Sequence, residues 1–358
     1  MAFSFGFSGD DIDETMDVDV GVGEAAPASA GGVENGPPLV EPKVLRVEDV
    51  LATLPSKISY STLTITSPQG RSVTLPRREL FDVRLQLMAE DEGADGADGS
   101  GSSSSADAIA GLDDADIRTN VYEGGFKSWE CSVDLVKLLL DRGPRKDLDD
   151  LCRVDHVVEL GCGTALPTLL LFQHALAQSL PLYFTLADYN ASVLRLVTLP
   201  NLLLVWASTL PADAPVFTPE HPSPFHFPSS PPDPSSPTQP ETGDLDLTPA
   251  LLAAFLTSLH TSSLHLTLLA GSWAPPDRFA ALVPSAPDMR TLLLGSETIY
   301  SPAALEGFAD ACAALMASGR GRNAKLLVAA KRVYFGVGGG VDAFREACAA
   351  RGVVMGEV

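Results

Sequence analysis

The sequence predicts an α/β fold: a doubly wound, mostly parallel sheet with helices on both faces. Two observations carry this. From about Val121 onward short apolar runs alternate with helical patterns, and a Gly161-Cys162-Gly163 bend stands at a strand-to-helix junction. Strands joined through helices run parallel, and a parallel sheet needs cover on both faces.

The elements follow in order. Ser132 to Asp141 is helical, with Val133, Val136, Leu139 and Leu140 on one side. His156 to Leu160 is a short buried strand ending at glycine, and Pro167 to Leu176 is the next helix. Leu182 to Ala187 is a second strand, and Ala191 to Ala207 a long helix interrupted by Pro200. A helix from Pro249 to His260 and strands at Leu264–Leu269 and Thr291–Leu294 come next. A helix from Pro302 to Ser318 and a strand at Lys325–Ala330 complete the alternation. This is a methodical α/β pattern over residues 117–358.

Upstream, residues 43–90 read as a small extension. Ile58 to Ile65 alternates with a period near two, Ser67-Pro68-Gln69-Gly70 is a turn, and Arg71 to Leu75 is the return strand of a hairpin. Arg84 to Glu90 is a brief helix. Three stretches are expected to be disordered, because they are too polar or too rich in Gly, Ser and Pro to offset chain entropy. They are the acidic tail 1–42, the Gly/Ser/Asp linker 91–116 and a Pro/Ser-rich insertion at about 211–246.

The net charge of −22 argues against a general nucleic-acid surface, which needs clustered Lys and Arg, and suits attraction to basic proteins. A plainly solvated acidic surface is the other reading. The five cysteines have no C-x-x-C spacing, so reduced thiols in an intracellular compartment are expected, with neither disulfide frame nor zinc site. His260 and His265 are five apart, which is wrong for one helix face. Met1 to Asp10 has no secretory pattern, and no apolar run reaches the roughly 18–20 residues of a membrane span. Cytoplasm and nucleus are the expected compartments, and a monomer the expected state.

The chemistry centres on Glu159-Leu160-Gly161-Cys162-Gly163-Thr164-Ala165. Glycines there permit positive φ and let backbone N–H groups approach a ligand. Asp188 follows at the end of the next strand, where a carboxylate can accept the hydroxyls of a ribose. Its alternative role is helix N-cap for Ala191 onward. A nicotinamide dinucleotide is disfavoured, because Leu166 stands where the third glycine of its fingerprint belongs.

The acid-x-Gly-x-Gly form, with Glu159 two residues before Gly161, resembles the first motif of class I (Rossmann-like) methyltransferases. Five further segments sharpen the resemblance: Lys127 to Ser132, Ala187 to Asn190, Val197 to Leu202, Ser296 to Tyr300 and Tyr334 to Gly340. In this order they resemble the protein-histidine N-methyltransferase family, whose members act on a large-subunit ribosomal protein. The likeness covers about residues 121–340 and extends faintly to Arg77 to Arg84.

The resemblance implies S-adenosyl-methionine as cofactor and a basic, ribosomal-protein partner. It implies a cofactor pocket lined by Trp129, Glu130, Cys131, Glu159, Gly161, Gly163, Asp188, Tyr189, Asn190, Gly271, Ser272, Trp273 and Ser296. Trp129 can cover a sulfonium by a cation–π contact, and Trp273 can flank an adenine, although core packing suits either ring equally. Relatives often carry an acid where Ser272 stands. After the last helix, Val353 to Val358 leaves room for one strand instead of the usual pair, which leaves a sheet edge open.

A neutral imidazole is already nucleophilic near pH 7, its unperturbed pKa being about 6.5, so positioning can supply much of the acceleration. Glu297, at the end of the fourth parallel strand, is the candidate to accept the ring N–H and steady the developing imidazolium. Its other readings are an ion pair with an arginine or a helix cap. A metabolite methyltransferase and a non-catalytic binding module of the same fold remain open on the residues alone.

Overall fold

A computed structural model describes residues 39–94, 125–142, 154–226, 240–286, 288–317, 324–334 and 338–357. The extension comprises β1 (Lys43–Leu45), α1 (Val47–Leu51), β2 (Lys57–Thr66), β3 (Ser72–Arg78) and α2 (Leu80–Ala94). The α/β region opens with α3 (Glu130–Asp141), β4 (His156–Leu160), α4 (Leu166–Gln178), β5 (Leu182–Asp188) and α5 (Ala191–Ser208). It continues with β6 (Thr242–Asp246), α6 (Pro249–Thr261), β7 (Leu264–Ala270), α7 (Pro276–Leu282), β8 (Thr291–Ser296), α8 (Pro302–Ala317), β9 (Ala324–Ala329) and α9 (Val341–Ala350).

The main sheet has the order β1-β7-β5-β4-β8-β9, all parallel except β1, which runs antiparallel along the outer edge of β7. The sequence reverses direction across the sheet at β4, whose neighbours are β5 and β8. In such open sheets ligands bind at the carboxyl ends of the strands beside that switch point. All five residues of β4 are buried, which helices on both faces require. Its polar His156 meets the Thr185 hydroxyl through Nε2 at 2.8 Å.

Helix α5 is long and apolar enough to cross a membrane, but 78% of it is buried within the fold as a core helix. Pro200 interrupts its regular bonding without ending it, as expected. A proline cannot donate to the carbonyl four residues back and crowds it. Here the helix widens into a π turn over Leu194–Thr198, and the Leu196 carbonyl takes the Arg78 guanidinium at 2.9 Å instead. The Arg78 side chain is fully buried and also holds Asp82 at 2.6 Å and Gln86 at 2.9 Å. Arg78→Ala should therefore cost about 3–5 kcal/mol, because it strands several polar partners at once. Urea unfolding reads this, and a loss below about 1 kcal/mol contradicts it.

The second sheet is antiparallel, in the order β3-β2-β6. The hairpin is β2 and β3. Strand β6, within the stretch expected to be disordered, corrects that expectation. Lys57–Ser61 pairs with Thr242–Asp246, Leu245 is buried, and Phe225 stacks on Tyr60 at 4.7 Å. Composition hides this segment because its pairing partner lies far away in the chain. Residues 227–239 lie outside the described residues, as do 1–38, 95–124, 143–153 and 335–337.

Three further differences stand out. Residues 39–42, expected within the disordered tail, form a strap: Ser272 N–H donates to the Val40 carbonyl at 2.9 Å, and Val40 N–H to the Ser272 hydroxyl at 2.8 Å. Helix α2 likewise runs on to Ala94, past the expected linker start. After α9 the expected strand is absent over Arg351–Glu357. The chain turns at Gly352, Val353 N–H caps the Cys348 carbonyl at 2.9 Å, and Val353 and Met355 pack against the layer of α8 and α9.

Candidate active site

Strand β4 delivers the chain into a bend with Gly161 at φ +64° and Gly163 at φ +50°, left-handed values that suit glycine. Space demands glycine as well. A Cβ at Gly161 would stand 2.8 Å from Thr298 Cγ2, and one at Gly163 would stand 3.1 Å from the Gly125 carbonyl. Gly163 N–H donates to Asp188 Oδ2 at 3.0 Å, and Asn190 N–H donates to Asp188 Oδ1 at 3.0 Å. The bend after β4 and the acid ending β5 thus occupy one end of the sheet. Asn190, not Asp188, holds the N-cap position of α5, and its side chain makes no capping bond.

Polar side chains buried in apolar α5 clamp the bend. The Thr198 hydroxyl donates to the Gly163 carbonyl at 2.6 Å, and Asn201 Nδ2 to the Thr164 carbonyl at 3.0 Å. Asn201 Oδ1 accepts from Arg78 N–H at 2.8 Å, and Arg77 reaches Ser128, whose hydroxyl meets that of Thr164 at 3.1 Å. Strand β3 therefore braces the loop from two sides. Sequence reasoning did not single out Thr198 or Asn201 as site residues. Their signal was two hydrogen-bonding side chains in an otherwise apolar helix, each requiring a buried partner.

Glu159 has partners of its own in the fold. It is buried, and its Oε2 accepts the Thr168 N–H at 3.1 Å and also the Thr168 hydroxyl. It anchors the first turn of α4 beneath the loop. Burial, aided by the nearby Asp188 charge and opposed by the Thr168 bonds, pushes its carboxyl up to about 8. A raised native pKa means that the folded state keeps a proton the unfolded chain releases. The group's contribution is fully present below about pH 4.5 and is lost as pH rises through about 8. Glu159→Gln should remove this decline, so the variant's stability relative to the parent rises between pH 5 and pH 8. Denaturation curves showing a pH-independent difference contradict it.

At the start of α3, Trp129 is exposed and Glu130 is exposed near Lys331, while Cys131 is buried. Burial and the neighbouring Glu297 push the Cys131 thiol up. Ser296, Tyr189 and Asn190 are half-buried at the ends of β8 and β5. Gly271 N–H donates to the Asp188 carbonyl at 3.0 Å, which ties the turn after β7 to the same end. Ser272 is partly engaged by the strap. Trp273 packs edge-on against Phe308, with centroids 5.5 Å apart, and its ring lies 3.6 Å from where a Gly161 Cβ would be.

Glu297 follows β8 at φ +56°, with its N–H bound to the Ala329 carbonyl at 3.0 Å. Its Oε2 accepts the Tyr334 hydroxyl. Neither the arginine pair nor the helix cap is among its bonds. Three buried polar atoms beside the bend have no partner: Trp273 Nε1, Thr298 Oγ1 and Glu297 Oε1. Buried groups of this kind are normally paired, so this end of the sheet suits a ligand with its own donors and acceptors. Among the described residues no group of three or more His, Cys, Asp or Glu is placed to hold a metal.

No family model matches the chain. Similarity to curated proteins is extensive. Histidine protein methyltransferase 1 of Saccharomyces cerevisiae is 38% identical over 362 residues, covering 96% of this chain and 89% of that protein. Its namesake in Schizosaccharomyces pombe is 33% identical over 299 residues, covering 83% and 74%. The Rattus norvegicus homolog is 27% identical over 241 residues, covering 67% and 53%. With the fold, the glycine bend and this degree of identity along most of its length, the chain belongs to the histidine protein methyltransferase family.

Proposed function

We propose that the protein transfers a methyl group from S-adenosyl-methionine to a ring nitrogen of a histidine in a large-subunit ribosomal protein. The observation that carries this reading is Glu297 Oε1, a buried carboxylate oxygen without a partner, one residue from Thr298, which abuts the glycine bend. When bound, the donor supplies an electrophilic methyl carbon on a sulfonium.

The residues fit such a donor. The Gly161–Gly163 backbone admits close approach, Asp188 is sited for a ribose, and the unpaired Trp273 Nε1 with the Ser272 hydroxyl can serve an adenine edge. Trp129, Glu130, Cys131, Tyr189, Asn190 and Ser296 are the remaining lining candidates. Glu297 Oε1 accepts the N–H of one imidazole nitrogen, so that the other presents its lone pair. The same carboxylate then balances the positive charge the ring acquires. Histidine enters through the relatives' names, and a basic partner through the net charge of −22. A ribosomal protein would be met in the cytoplasm or nucleus, and the enzyme is expected to act as a monomer.

The test is incubation with methyl-labelled S-adenosyl-methionine and isolated large-subunit proteins, followed by peptide mapping. Label on one histidine is expected. Label confined to lysine, arginine or a metabolite would overturn the reading.

A further inference from the structure

We propose that Tyr334 is a positioning residue for methyl transfer: its hydroxyl holds Glu297 Oε2, so that Oε1 alone is left to receive the substrate's imidazole N–H. This rests on the role given to Glu297 above. The two oxygens of that carboxylate are not equivalent. Oε2 accepts the Tyr334 hydroxyl, and Oε1 is buried without a partner. A carboxylate free to rotate would offer either oxygen and let the ring settle in more than one pose. A phenol fixed on one oxygen removes that freedom.

The phenol is itself fixed. Its oxygen accepts Lys331 N–H at 3.2 Å, which directs its single proton to Glu297. Tyr334 N–H donates to the Gly339 carbonyl at 3.2 Å, and Gly339 N–H donates to the Tyr300 carbonyl at 3.1 Å, which ties the segment to the turn after β8. Val333 and Gly340 form a further bridge. Burial, reinforced by the Glu297 charge, pushes the Tyr334 hydroxyl above its ordinary value, so it remains a donor at working pH. The Cys131 thiol, pushed up by burial and by its own interaction with Glu297, stays protonated beside the carboxylate, and a thiol is a weaker donor than the phenol.

Glu297 also pays for its place with a left-handed backbone uncommon for a residue carrying a side chain. Such a conformation persists where the surroundings over-determine it, here through the Ala329 carbonyl and Tyr334.

The experiment compares the full-length protein with Tyr334→Phe, Glu297→Gln and the double variant, measuring kcat, KM and S-adenosyl-methionine affinity on the same protein substrate. Tyr334→Phe keeps the ring and removes only the hydroxyl. It should lower kcat by about 10- to 100-fold, as loss of a hydrogen bond to a charged group does, with donor affinity within about twofold. In the Glu297→Gln background the same change should lower kcat no further. A merely structural tyrosine would multiply its loss onto that of Glu297→Gln. If Glu297→Gln alone leaves kcat intact, the reading of Glu297 fails and this one with it. If Glu297→Gln lowers kcat while Tyr334→Phe does not, or the two losses multiply, the Tyr334 assignment alone is overturned.

Discussion

Replacing Gly161 with alanine is expected to weaken S-adenosyl-methionine binding by about 100-fold while the protein still unfolds cooperatively. Two effects add. The backbone stands at φ +64°, where a side chain costs roughly 1–2 kcal/mol. The new Cβ would also stand 2.8 Å from Thr298 Cγ2, and Thr298 is buried. Relief requires movement either of the bend or of the segment after β8 that carries Glu297. Either movement displaces groups assigned to the donor or the acceptor. Calorimetry on the variant measures the effect directly, and affinity within twofold of the parent would contradict it.

Glu297→Gln should lower kcat by about 100- to 1,000-fold with donor affinity nearly unchanged, because the charge it removes matters most as the ring becomes cationic. The local geometry makes the amide a poor substitute. Tyr334 donates to the Oε2 position, so the amide oxygen is drawn there and the NH2 takes the Oε1 position. A donor then faces a donor. Single-turnover kinetics at saturating donor isolate the chemical step, and an unaltered rate would remove Glu297 from the mechanism.

Much of this architecture was legible because its signals are local. The apolar run His156–Leu160 is bounded by glycine, and the strand occupies those same residues. Gly161, Gly163 and Asp188 were legible as a group, since a bend after one strand and an acid after the next fall at one end of a parallel sheet. What escaped depends on distant partners. Strand β1 is three residues long and takes its identity from β7, and β6 takes its own from β2. The π turn in α5 needs the Arg78 guanidinium to donate to the freed Leu196 carbonyl, and Pro200 alone suggests only an interruption. Glu159 shows the same limit: its spacing from Gly161 suggests a place by the bend, but its bonds to Thr168, nine residues on, have no local signal. The pairing of Tyr334 with Glu297 spans 37 residues and has no periodic signature.

The account turns on a single nucleoside lying between the glycine bend and the acid of the neighbouring strand. A crystal structure with S-adenosyl-homocysteine tests it most directly. The predicted result is a ribose with its hydroxyls on the Asp188 carboxylate, the Gly161–Gly163 backbone alongside and the adenine against Trp273. A nucleoside bound elsewhere, or one that leaves Asp188 untouched, would contradict it.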